Sequence, residues 1–64
     1  MYFQRLKDLR EDHDLSQKAI AKLLKTTQQN YCRYEIGERE IPLHHFITLA
    51  DFYGVSLDYL AGRK

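Results

Sequence analysis

The sequence predicts an all-α fold of five short helices, and three observations carry that prediction. Apolar residues recur at three- and four-residue spacing along the chain, and no stretch alternates with period two for long. Ser16, Thr27 and Ser56 stand where helix N-caps are needed. Gly37, Gly54 and Gly62 stand where helices must stop. At 64 residues the chain is read as one domain, residues 1–64.

Leu6, Leu9 and His13, with Phe3 behind them, place the first helix at about residues 2–13. Asp14 then turns the chain, because Asp tolerates the left-handed conformation better than most residues. Ser16 caps a second helix whose buried stripe is read as Ala19, Ile20, Leu23 and Leu24. Thr27 caps a third, running to about residue 36 and closed by Gly37. Pro42 is assigned the first position of a fourth helix, with Phe46, Ile47, Leu49, Ala50 and Tyr53 as its apolar face. Ser56 caps a short fifth helix; Asp58 suits the positive end of its dipole, and Leu57 and Leu60 are expected to face inward.

Only residues 25 and 26 separate the second helix from the cap of the third. Helices joined so tightly cannot lie antiparallel; they cross steeply, which is a helix-turn-helix. The N-terminal end of the third helix is thereby lifted out of the surface.

Charge marks the same region. The formal net charge is only +1, but residues 1–14 balance to −1, residues 35–64 to −2, and residues 15–34 carry +4 with no acid at all. An unopposed positive block of this kind points to an anionic partner. Within it lies TTQQNYCRYE, residues 26–35. Glutamine pairs bidentately with adenine N6 and N7, and arginine with guanine O6 and N7. Gln29 and Arg33 are four apart and leave one helical face, Gln28 and Cys32 share the neighbouring strip, and Tyr31 and Tyr34 fall on the side that packs inward. Lys18, Lys22 and Lys25 together read as a diffuse phosphate field.

Many positions in order now identify a resemblance. Leu9-Arg10, LSQ at 15–17, Ile20-Ala21, Arg33 and Glu35 with Gly37, Pro42, and LADFYGVSLDYL at 49–60 resemble the Cro and phage-repressor type of helix-turn-helix, from about Leu6 to Leu60. The resemblance implies a compact five-helix lambda-repressor-like fold whose third helix enters the major groove of double-stranded DNA. It implies Gln28, Gln29 and Arg33 as base readers, and Gln17, Lys18, Thr27, Asn30 and Arg39 toward the phosphate backbone. Arg10 and Glu35 match a structural ion pair between the first and third helices. Two departures stand out: Ile36 replaces a frequent asparagine, and Glu38 and Glu40 make acidic a loop that is often basic.

The expected function is therefore sequence-specific DNA binding as a transcriptional regulator, a repressor, on a palindromic operator. The alternative is a protein-binding module of the same fold, in an antitoxin-like or anti-repressor role. A homodimer is expected on DNA, with weak or no dimerisation when free. The joining surface is expected near the chain end, with Leu57 and Leu60 buried and Tyr59 outside, beside Ile41 or Pro42.

Other chemistries find no support. One cysteine, Cys32, gives neither an internal disulfide nor a multi-cysteine zinc site, and a lone thiol fits a reducing compartment. His44 and His45 are adjacent, so on a helix they diverge by about 100° and no ligand set completes around them. No metal, cofactor, small-molecule ligand or catalytic constellation is implied, and an enzyme is not expected. With no apolar leader segment and no apolar run long enough to span a bilayer, a cytoplasmic location is expected.

Overall fold

A computed structural model describes residues 2–63 and contains five helices in chain order: α1 Gln4–Asp12, α2 Gln17–Leu23, α3 Gln28–Glu35, α4 Leu43–Tyr53 and α5 Leu57–Leu60. No strand occurs among the described residues. Three of the five helices begin on the hydroxyl caps read from the sequence: Ser16 accepts from Ala19 N–H, Thr27 from Asn30 N–H and Ser56 from Tyr59 N–H, each at 3.0 Å. Each cap satisfies one amide that the first helical turn leaves without a partner.

Two starts differ from the sequence reading. The first helix begins at Gln4 rather than residue 2, with Phe3 extended as its cap and its ring on Phe46 at 4.9 Å between centroids. Pro42 is the cap of α4, not its first helical residue; its ψ of 147° is extended, and Leu43 opens the helix.

The helix ends share one device. A residue of positive φ follows the last turn, and two amides reach back to the open carbonyls: Leu15 to Arg10, Thr26 to Ala21, Glu38 to Arg33, Val55 to Ala50 and Arg63 to Asp58, with the shorter bond inside each. This double closure satisfies carbonyls that an abrupt end would leave open. Gly37, Gly54 and Gly62 supply the positive φ after α3, α4 and α5; Asp14 at 54° and Lys25 at 57° supply it after α1 and α2. Lys25 is the surprise, because a branched or long side chain gains nothing from this conformation.

The core forms where the helices converge. Leu6 of α1, Ile20 of α2, Tyr31 of α3, Leu49 of α4 and Leu60 of α5 are all fully buried, so each helix contributes one anchor. Tyr31 and Tyr34 pack inward as their spacing requires, edge to face at 6.5 Å. The apolar stripes are narrower than periodicity suggests. Along α2 the buried residues are Ile20, Ala21 and Leu24, while Ala19 and Leu23 are exposed. Ile47 on α4 and Leu57 on α5 are each 41% exposed, so Leu57 does not face inward as the sequence suggests. Short helices leave flanking stripe positions with no neighbour to cover them.

α3 packs most extensively on α2, and α1 supports it from behind. The pair α2–α3 with its four-residue connection is the helix-turn-helix, and it presents the outer face of α3 to solvent.

Candidate nucleic-acid interface

The first turn of α3 carries no acid, and its N-cap leaves Gln28 and Gln29 exposed at the tip of the helix. Moving along the same face come Cys32, half-buried, then Arg33 and Ile36. These residues, with Gln17 from α2 and Glu38 from the following loop, line one open concave surface. The three expected base readers are thus together on one side of one rigid helix.

Behind this surface a buried polar network sets the position of α3. Arg10 forks onto Glu35, Nε to Oε2 at 2.8 Å and Nη2 to Oε1 at 3.0 Å, and its Nη1 donates to the Leu15 carbonyl at 2.8 Å. The expected pair therefore joins α1 to α3, with Glu35 only 3% exposed. Burial alone would raise the Glu35 carboxyl; hydrogen bonds from Arg10 and Gln17 outweigh it and hold the group below the ordinary carboxylate value. The Tyr31 hydroxyl lies beside this carboxylate. Burial first, and the neighbouring Glu35 charge second, push that phenol well up.

Gln17 has a double placement. Its Nε2 donates to Glu35 Oε1 at 3.1 Å, while the side chain also lines the concave surface. A primary amide has two N–H donors, so one proton fixes the side chain and the second remains for a ligand.

Asn30, expected toward the phosphate backbone, is bonded within the protein. Its amide donates to Thr26 Oγ1 at 2.8 Å and to the Tyr34 hydroxyl at 3.0 Å, and its oxygen accepts from Arg39 Nη1 at 3.3 Å. Both amide protons are therefore engaged within the protein. Instead of reaching outward, Asn30 ties the turn to α3 and holds Arg39. Thr27, exposed, accepts the capping bond through Oγ1, which leaves its hydroxyl proton free. Lys18, Lys22 and Lys25 are all exposed around α2 and the turn.

Sequence reasoning missed one member of the surface. Arg33 Nε lies 3.5 Å from Glu38 Oε1, so a base-reader candidate carries an acidic neighbour. The signal was the five-residue spacing across Gly37, which brings the residues on either side of a helix end together. On the far side of the domain the Arg5 guanidinium stacks over the Tyr59 ring at 4.0 Å and donates to the Tyr59 carbonyl at 3.3 Å.

A family model described as helix-turn-helix matches residues 6–60 of this fold. The chain belongs to the Cro and phage-repressor type of helix-turn-helix family.

Its similarities within the family are to regulators. It is 37% identical over 62 residues to the HTH-type transcriptional regulator YobD of Bacillus subtilis (strain 168), covering 97% of this chain and 55% of that one. It is 33% identical over 57 residues to the cryptic phage CTXphi transcriptional repressor RstR of Vibrio cholerae, covering 89% of this chain and 51% of the repressor. The crystal structure of a transcriptional regulator from Listeria innocua superposes with a TM-score of 0.88 at 29% identity, covering 97% of this chain and 61% of that one. The chain spans about half the length of the curated relatives it matches. Among the described residues no helix is long and apolar enough to cross a membrane, and no cluster of potential metal ligands occurs.

Proposed function

We propose that this chain binds double-stranded DNA sequence-specifically as part of a transcriptional repressor, with α3 in the major groove. The observation that carries the reading is the joint exposure of Gln28, Gln29 and Arg33 on one concave face of a capped, acid-free helix end. Gln28 and Gln29 pair with adenine edges and Arg33 with guanine. The free amide proton of Gln17, the hydroxyl of Thr27, and the charges of Lys18 and Arg39 engage phosphates and fix the register. Asn30 acts one step back, by holding Arg39. The relationship to RstR supports the sign of regulation.

Two copies act together. A single recognition helix reaches one major groove, and successive major grooves on one side of the duplex lie roughly 34 Å apart. One recognition helix also makes too few base contacts for the usual nanomolar affinity. A palindromic operator supplies two half-sites to two copies related by a two-fold axis. Leu57 and Tyr59, both exposed on α5, offer a surface through which the two copies join.

Selection of bound sequences from a random duplex pool at physiological salt tests this reading. The expected product is a palindrome with half-sites one helical turn apart. Retained DNA without any consensus would sink it. Sedimentation on half-site and full-site duplexes checks the stoichiometry: two copies bind the palindrome cooperatively, whereas a one-to-one complex at half-site affinity makes the domain a monomeric binder.

A further inference from the structure

The end of α3 is closed by Gly37 N–H to Tyr34 O at 3.3 Å and Glu38 N–H to Arg33 O at 3.0 Å. In this closure the third residue from the helix end and the second residue beyond it come face to face, and an apolar contact frequently joins them. At α4 the corresponding pair is Ala50 and Val55; at α3 it is Arg33 and Glu38. The backbone thus sets the two charges together, and Arg33 Nε meets Glu38 Oε1 at 3.5 Å. Both side chains remain substantially exposed, so the pair contributes little to stability. Its consequence is where the guanidinium sits.

We propose that Glu38 determines sequence specificity by restricting Arg33 to the base edges and denying it to phosphate. The proposal rests on the DNA-reading role given above. Arginine has five N–H donors; with Nε toward Glu38, the two terminal nitrogens remain free to fork onto O6 and N7 of a guanine. A guanine edge is uncharged and tolerates the nearby carboxylate. A phosphate in the same place brings a second anion against Glu38, which lines the same concave surface. An arginine without this neighbour would serve any duplex, because phosphate contacts carry affinity without sequence information. Glu38 is thus a repulsive element that acts against the wrong ligand more than against the right one.

The test compares the intact chain with Glu38→Gln, Arg33→Ala and the double variant on a selected operator and on random duplex, across a salt series. Circular dichroism first establishes that each variant is folded. Glu38→Gln is expected to tighten random-duplex binding by about two- to fivefold, the scale of one exposed charge pair. It should also steepen the dependence of log K on log salt for random duplex by about 0.9, the effect of neutralising one more phosphate. Operator affinity should change less, so the ratio of operator to random binding falls. In the Arg33→Ala background the same substitution should leave that ratio unchanged. Equal tightening on both duplexes, or the same fall in ratio without Arg33, overturns the proposal. A wild-type chain with no preference for any duplex overturns the DNA-reading function and this proposal together; full discrimination retained by Glu38→Gln overturns this proposal alone.

Discussion

Arg10 and Glu35 lock α1 to α3 through two near-parallel hydrogen bonds of 2.8 and 3.0 Å, with the carboxylate withdrawn from water. Removing one partner strands the other. Arg10→Met is therefore expected to cost about 3–5 kcal/mol in urea denaturation, because an unpaired buried charge remains. That is a large share of the total for a domain of this size, on the order of 3–10 kcal/mol. Arg10→Met with Glu35→Leu should recover much of the loss. If the double variant is no more stable than the single, the stranded charge is not the cause.

The same network gives stability a pH window. The Glu35 carboxyl is held below its ordinary value in the folded chain, so the unfolded chain protonates first as pH falls. Its contribution is complete above about pH 4.5 and is lost as pH falls through the folded value. Tyr31 and Tyr53 behave oppositely. Burial, followed by the Glu35 charge, raises both phenols, Tyr53 to about 12. Their contribution is complete below pH 10 and is lost as pH rises from there. Denaturation midpoints should form a plateau with two falling limbs, and Tyr53→Phe should soften the alkaline limb alone. An unaltered alkaline limb in Tyr53→Phe would remove that tyrosine from the account.

Asn30→Ala separates a supporting role from a contact role. Loss of its bonds to Thr26, Tyr34 and Arg39 is expected to destabilise the domain by about 1–3 kcal/mol. Binding to operator and random duplex should weaken alike through the freed Arg39. Unchanged stability with a loss confined to DNA binding would instead make Asn30 a phosphate contact.

Gln29→Ala and Arg33→Ala should relax discrimination at separate base positions by about 1–3 kcal/mol each, measured as competition between single-site operator variants. Lys18→Ala should spare discrimination and reduce the salt slope by about 0.9. A variant that keeps full discrimination at normal affinity removes that residue from the readers, and an unchanged slope leaves Lys18 as a solvating residue.

Gly37 and Gly54 form an internal comparison. Both have positive φ, but a Cβ on Gly37 would meet the Tyr2 Cβ at 3.0 Å, whereas one on Gly54 meets nothing within 4 Å. Gly54→Ala should lose about 1–2 kcal/mol for the conformation alone. Gly37→Ala should lose more, by thermal denaturation. Equal losses would show that Tyr2 moves aside freely.

The helices and their order were legible in the chain alone, because caps, stops and helical period are local. Ser16, Thr27 and Ser56 need only an amide three residues on, and a glycine stop needs only its own φ. The inward tyrosines and the outward Gln28, Gln29 and Arg33 follow from the turn of one helix. Packing settled what depends on residues distant in the chain. Periodicity marks an apolar face but not how far its neighbours extend, so Leu23, Ile47 and Leu57 were left exposed where helices of 4 to 11 residues run out of cover. A polar side chain takes whichever partner the packing brings, which turned Asn30 inward to Tyr34 and Arg39 and gave Gln17 to Glu35. Lys25 adopts its left-handed φ because the crossing of α2 and α3 demands that turn, a demand imposed by packing and not by its own preference.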